Sequence, residues 1–497
     1  MRGELFQKEK GLYSDTKLCF DLEVTVAKYP RAIFTGESAY YYYGFTDVIS
    51  QYYCLATRRC DTRISQRKIG WILVRKRHYK KILILYQQHG TLQIKMIVYT
   101  GGKMKLLFIR WTSFMRWGIE EAFKKLNIDY DVFEYNFTDW EKDERFCGML
   151  DDKLVTGTYD IVFSVNFMPL ASAVCMDRQI KYYSWVYDSP LHIRDLTPLL
   201  NDCNEVFFFD RQQAESYAAA GVNAHHMPLA ASTQVFDEAI NGVGVDNTVK
   251  DDAEKYRADV SLVGQLYATD YAAYTSVLEP YLKGYLEGII AAQSKLYGAY
   301  LIPDLVRSDL LEAMNICYAD RLKNVNGMQD FRMGKRELEY MLACEVTNRE
   351  RRTALSLLSL RYDTVLYSSN PAGDINGLRQ GGYIDYLTQM PIIFKNSKIN
   401  LNISLKAIQS GIPLRVLDIM ACGGFVLTNY QEEIAEYLRP GEACVMYESI
   451  EDMYEKASYY LAHDTERTQI AACGRELIER EFTFESRIRE MLGLQVL

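Results

Sequence analysis

PIIFKNSKINLNISLKAIQSGIPLRVLDIMACGGFVLTN, residues 391–429, is the stretch that decides the fold. Ile399 to Ile403 alternate apolar and polar residues, which predicts a strand. Gly411 and Pro413 break the chain, and Arg415 follows at once. Leu414, Leu417 and Met420 then share one face of a short helix, with Asp418 on another. Cys422-Gly423-Gly424 ends that helix, because glycine accepts the left-handed conformation that stops one. Phe425 to Thr428 reads as a fresh buried strand. A polar loop that feeds a helix N-terminus beside a parallel strand is a ready site for phosphate oxygens. Arg415 adds a guanidinium there, able to grip a diphosphate with two parallel hydrogen bonds. The expectation is a nucleotide or nucleotide-sugar site.

Working outward, the same strand–helix alternation recurs. KMKLLFIRW (103–111) is a short buried strand of the kind that opens a doubly wound sheet. A helix follows at about 117–126. Strands come next near 131–133, 160–165, 180–186, 205–209 and His226. This alternation implies a parallel sheet, here over residues 104–235. Residues 236–256 are mostly polar and acidic and read as a linker. A second unit, 257–483, opens with DVSLV (259–263) and Gly264. It holds a helical insertion at about 280–358 and strands near 363–367, 399–403 and 425–428. Helices close the chain, the last from Phe484. The fold class is therefore α/β, with two Rossmann-like doubly wound domains and a small N-terminal α+β module, 1–103.

These motifs also resemble a known family. SKINLNISLKAIQSGIPLRVLDIMACGGFVLTNYQEEIAEYL and GEACVMYESIEDMYEKASYYLAHDTERTQIAACGRELIEREFTFESRIREML are similar to the C-terminal half of CgeB-like (spore maturation) bacterial glycosyltransferases, members of the GT-B superfamily. The resemblance continues through DVSLVGQLY, YLKGYLEGIIAAQ and YYSWVYDSP, and runs from about residue 104 to 497. It implies two facing domains, and transfer of a sugar from a nucleotide-sugar donor to an acceptor hydroxyl, without a required metal or other cofactor. It implies that the helix after Thr483 crosses back to the first domain. It also gives Gly264, at a strand end, a role in close approach to phosphate. Many retaining GT-B enzymes carry two glutamates with seven residues between them around the donor loop. Here Ser410 and Asp418 stand at those positions, a departure from the pattern.

Ligands of open α/β sheets bind beyond the carboxyl ends of the strands. Asp188, after YYSWVY, is placed to take a proton from an acceptor hydroxyl; the alternative is an Asx turn before Pro190. Asn166, after DIVFSV, is a second hydroxyl-binding candidate, with a turn-forming amide as its alternative. Lys406 is a further phosphate cation, Arg415 the first; a surface salt bridge is the plainer reading of Arg415, and a solvated side chain that of Lys406. Gly423 and Gly424 have a structural reason, with donor contact optional. Trp111 and Trp185 could stack on a sugar or simply fill the core. His225 and His226 face either the cleft or ordinary interdomain packing. No DxD-type metal motif stands in a suitable loop: Asp151-Asp152 and Asp251-Asp252 lie in polar connections.

The 497 residues are 48% hydrophobic and 25% charged, ordinary for a globular protein. The 38 tyrosines are many, and suit either glycan contacts or buried, bonded hydroxyls. The 11 cysteines are scattered without a CxxC pair, as expected of free thiols in a reducing cytoplasm. No apolar run reaches the ~18 residues of a spanning helix. Charge divides sharply. Residues 1–103 hold 18 Lys and Arg against 8 Asp and Glu, whereas the whole chain is net −8. YPRAIFTGESAYYYYGFTDVISQYYCLATRR (29–59) resembles the middle of AbiE-type antitoxins (AbiEi), but the winged-helix sequence that precedes it there is short or missing here. The basic run from Arg58 to Lys81 could neutralise phosphates, so nucleic acid is a candidate partner for 1–103 alone. A solvated charged face is the alternative. KKILILY and LQIKMIVY around Gly90 predict a hairpin. The competing function for the whole chain is a catalytically degenerate nucleotide- or glycan-binding protein, suggested by Ser410.

Overall fold

The computed structural model describes residues 104–494 other than 138, 243–253 and 323–329, together with the backbone of seven strands between 6 and 98. The chain divides into two compact units, Met1–Met104 and Lys105–Leu497. In the first, Lys81–Gln88 and Thr91–Val98 pair antiparallel with Gln88 opposite Thr91, the expected hairpin. Phe6–Glu9 pairs with Leu12–Ser14, and Ile33–Phe34, Tyr53–Ala56 and Ile69–Trp71 form a three-stranded sheet. The side chains of the basic run lie outside the described residues.

The second unit holds two six-stranded sheets. Across the first, the strands run Ala224–His226, Asn204–Phe208, Lys181–Val186, Ile161–Val165, Lys105–Arg110, Asp129–Glu134, all parallel. The order across the second is Arg379–Gln380, Thr364–Tyr367, Ala258–Val263, Ser397–Asn402, Val426–Asn429, Val445–Tyr447, again parallel. The central strands Ile161–Val165 and Asn204–Phe208 are buried along their whole length. Helices cover both faces, so each strand reads as an unbroken apolar run. Each sheet reverses its winding beside its first strand, which leaves a crevice there at the carboxyl ends. This is the two-sheet α/β architecture expected of the GT-B class.

Between Ala258–Val263 and Thr364–Tyr367 the chain leaves the sheet for Tyr271–Ser276, Pro280–Ser294, Ile302–Leu305, Ser308–Arg321 and Lys335–Ser359. These helices enclose a core of their own around Leu286, Met314 and Leu342. Two differences from the sequence reading stand out. The stretch read as linker begins inside a helix, Thr233–Ile240, which the Ser232 hydroxyl caps by accepting from Val235 N at 3.3 Å while Phe236 and Ala239 are buried. The apolar face that makes it a helix is one turn long and easily lost among acidic neighbours. The edge strands Arg379–Gln380 and Val445–Tyr447 are too short to carry a period.

The helix Phe484–Met491 packs against Arg116–Lys125 of the first sheet. The Phe484 ring lies so close to Gly118 that an added Cβ would come within 2.2 Å of it, and its other neighbour is Trp185 at 5.9 Å. Glu485 and Lys125 pair at 2.7 Å beside them. Gly118→Val is therefore expected to displace this helix and cost ~1–3 kcal/mol of overpacking, read as a lowered midpoint in urea or heat; an unchanged midpoint would refute this account of the crossing.

Candidate active site

A cavity of about 1000 Å³ opens at the carboxyl ends of the first sheet. Trp111, Asn166 and Asp188 each follow a strand of that sheet, and all three line it; Arg336 and Tyr340, from the start of the helix Lys335–Ser359, form the facing wall. The polypeptide brings these groups together from positions more than two hundred residues apart.

Asn166 and Asp188 act as one piece. Asn166 is buried and takes φ +59°, a left-handed turn that an asparagine tolerates better than most residues. Its Nδ2 donates to Asp188 Oδ2 at 2.6 Å, and its Oδ1 accepts from Tyr187 N at 3.0 Å. Ser189 then meets Pro190 through a cis peptide. The amide of Asn166, rather than an Asx turn by Asp188, holds this stretch, and it bonds one carboxylate oxygen of Asp188, which lines the cavity. Burial raises the Asp188 carboxyl above the usual carboxylate range, more than His192 and the Asn166 hydrogen bond lower it. Burial also lowers the His192 imidazole.

The carboxyl ends of the second sheet adjoin this cavity. Gly264 ends Ala258–Val263 with φ +150° and donates its N–H to Tyr367 O at 3.0 Å. Only glycine takes that conformation without strain. Beside it lies Arg351, fully enclosed, with Nε donating to Ile403 O at 3.1 Å and Nη1 to Gln265 O, and with Tyr267 stacked 4.8 Å away. Burial lowers the Arg351 guanidinium, and the positive charge of Arg415 adds to that. Gly264 and Arg351 are thus neighbours, a Cβ on the glycine falling 3.3 Å from Arg351 Nη1. Tyr340 lines both the Asp188 cavity and a second one walled by Gln265 and Tyr267.

The remaining sequence candidates sit elsewhere. Arg415 keeps a partly exposed side chain 5.6 Å over the Phe394 ring, 3.7 Å from Asp418 and against Met390 Sδ. It does not line the Asp188 cavity. Asp418 is buried and accepts from the Tyr386 hydroxyl at 2.8 Å, so its acid is spent inside the domain. Lys406 is not a free phosphate cation: it pairs with buried Glu350 at 2.8 Å and lies 4.1 Å over the Tyr297 ring. A lysine this enclosed needs a carboxylate beside it. Ser410 is fully buried; its hydroxyl sits 3.1 Å from Asp210 Oδ1 and 2.8 Å from Glu433 Oε1, in the seam between the sheets. Gly423 (φ +67°) and Gly424 close the helix Leu414–Ala421 with N–H bonds to Met420 O and Ile419 O. They precede Val426–Asn429, at the amino end of the sheet, opposite the crevice. His225 pairs with Glu205 and His226 with Glu433. Trp185 is buried and donates to Met227 O. Among the described residues, no group of three or more His, Cys, Asp or Glu is placed to hold a metal ion.

Residues 343–493 match the family described as glycosyl transferase-like. This stretch is therefore similar to glycosyltransferase domains. It takes in Arg351, Lys406, Ser410, Arg415 and Asp418, and amounts to under a third of the chain. A comparison with curated proteins finds no match. Among solved structures, sucrose-phosphate synthase from Thermosynechococcus elongatus is similar with TM-score 0.46 and 12% identity, covering 79% of this chain and 98% of that one. HepE of Anabaena in complex with UDP-glucose gives TM-score 0.46 and 10% identity over 79% and 100%. A glycosyltransferase from Rickettsia africae gives 0.46 and 12% over 79% and 97%.

Sequence reasoning missed Arg351, Arg336 and Tyr340. All three lie on one 25-residue helix, where charged residues read as a solvated face. No helix among the described residues is long and apolar enough to cross a membrane.

Within the matched stretch, burial pushes the Asp418 carboxyl up to about 6, against the pull of Arg415 and the Tyr386 hydroxyl. The folded state then holds that proton more tightly than the unfolded chain. Stability from this group is present below about pH 4 and lost as pH rises to about 6, on the order of 2–3 kcal/mol. Asp418→Asn, which still accepts from Tyr386, is expected to remove that part of the slope when urea unfolding is compared at pH 4.5 and pH 7. An identical slope in the variant would contradict it.

Proposed function

We propose that the chain transfers a sugar from a nucleotide-sugar donor to an acceptor hydroxyl in the cavity at Asp188. The observation that carries this is a half-buried carboxylate, braced by Asn166 at the carboxyl ends of the first sheet, whose neighbour Ser189 donates to Ala407 O of the matched stretch 343–493. In this reading the donor's diphosphate lies against the Gly264 turn, where backbone approaches closely, with the Arg415 guanidinium as its cation. As the bond between the anomeric carbon and the diphosphate oxygen breaks, the electron pair leaves with the diphosphate. A fixed positive charge is most useful at that moment. The acceptor oxygen bonds to the anomeric carbon and its proton passes to Asp188.

Asp188→Asn preserves the size of the side chain and its contact with Asn166, but not its basicity. Transfer and hydrolysis measured with UDP-, GDP- and TDP-sugars should fall ~10²–10⁴-fold in kcat for this variant. Since the carboxylate must be ionised to act and its carboxyl is raised, wild-type activity should decline on acidification already above the usual range near 4. A variant with wild-type kcat would remove Asp188 from the chemistry. Arg415→Ala should raise the KM for the donor ~10–100-fold, the value of a hydrogen bond to a charged group. Nucleotide binding that ignores the substitution favours the degenerate-binder reading instead.

We also infer that no metal or other cofactor takes part, because Arg415 and the buried Arg351 supply positive charge beside Gly264. Activity should survive exhaustive EDTA treatment, and loss with recovery on adding a divalent cation would refute this. The CgeB-like assignment rests on the sequence resemblance alone. A cytoplasmic location is supported by the free thiols of all eight described cysteines. For residues 1–103, the net charge of +10 (18 Lys and Arg against 8 Asp and Glu) supports contact with nucleic acid or an acidic partner. Salt-sensitive DNA binding by the full chain, absent without this module, is the corresponding test.

A further inference from the structure

We propose that the acceptor is itself a saccharide, seated in the corner between the indoles of Trp111 and Trp140 with a pyranose face against one of them. This deepens the transferase reading and rests on it. Of the two tryptophans that the sequence offered as sugar platforms, Trp185 belongs to the core, and Trp111 lines the Asp188 cavity. Its ring is fixed, because Nε1 donates to Val165 O at 2.9 Å. Trp140 meets it edge to face, with centroids 4.8 Å apart and planes at 86°. Tyr187 stands near-parallel to Trp111 at 6.4 Å. All three remain partly exposed and line the same cavity.

Three large aromatic side chains beside a carboxylate, packed on one side and still partly exposed toward a cavity, forgo burial that the fold could have used. A pyranose ring answers both features. Its faces carry C–H groups that pack on an indole, and its edge carries hydroxyls that need acceptors and donors. Asp188 and Asn166 stand at that edge, and Glu141 and Arg194 also line the cavity. A flat apolar trough would suit an acyl chain better. This rim is charged on both sides, and Arg194 is already tied to Asp139 at 2.9 Å. A pocket of this kind, apolar walls with few convergent polar groups, fixes orientation through those groups. It would present one hydroxyl to Asp188.

The test has two independent readouts. Binding is followed by tryptophan fluorescence while glucose, N-acetylglucosamine, maltose and cellobiose are titrated, with glycerol as control. Turnover is followed by release of nucleoside diphosphate from the nucleotide sugars named above, and by formation of a new glycoside. At least one saccharide should bind and be glycosylated. Trp140→Ala should raise its KM at least tenfold with the thermal midpoint retained, and Trp140→Phe should recover most of that loss. Donor turnover with transfer only to non-sugar alcohols, or a saccharide KM that Trp140→Ala leaves unchanged, would overturn the proposal. Saccharide binding that depends on Trp140 without any donor turnover would keep the sugar platform and instead defeat the transferase reading.

Discussion

A buried carboxylate, Asp210, ties the two sheets together across their seam. Asp210 caps its own helix by accepting from Gln213 N at 3.0 Å. Its other oxygen reaches across the seam to Gln409 N at 2.6 Å and Ser410 N at 3.1 Å. The group is fully buried, and burial raises its carboxyl. Backbone donors around a buried carboxylate offset its desolvation, each worth about 1.5–3 kcal/mol. Glu433 completes the lock from the second sheet, accepting from Arg211 N at 2.8 Å and meeting His226 at 2.7 Å. Gly411 fits the same seam, since a Cβ there would come within 2.9 Å of the Asp210 backbone.

That lock positions the cavity. The loop that follows Ser397–Asn402 is carried against the first sheet, where Ala407 O accepts from Ser189 Oγ at 3.1 Å, one residue beyond Asp188. Farther along the same stretch, Arg336 donates to Leu191 O and Ile193 O at 2.8 and 2.9 Å. The segment that follows Asp188 is thus gripped from the second domain at Ser189 and again at Leu191 and Ile193. The Asp188 carboxylate, the aromatic corner and the Gly264 neighbourhood are held in a fixed relation, as catalysis by positioning requires.

Much of this was legible in the chain. The buried strands around Phe108, Val162, Leu262 and Leu401 each show as a short apolar run. The glycine that ends Ala258–Val263, the acid after YYSWVY and the amide after DIVFSV all stood out because strand ends at the carboxyl edge are where α/β proteins work. The polar residues of 404–418 were harder. Lys406, Ser410 and Asp418 carry the right chemistry for a donor, yet Glu350, Asp210 and Tyr386 absorb them. Nothing local announces partners that lie 32 to 200 residues away.

The sequence by itself determined the longer strands of each sheet, the parallel winding, and the residues that could stand at the carboxyl edges, because periodicity and chain breaks are local properties; the short edge strands Arg379–Gln380 and Val445–Tyr447 escaped it. Tertiary structure alone decided which polar groups remain free. Burial makes a lone charge costly, so each enclosed acid or base takes the nearest complement, and only packing reveals which one that is. Asp188 kept its reach into the cavity because Asn166 holds just one of its oxygens, whereas Lys406 and Asp418 were drawn inward by groups the linear chain keeps far apart.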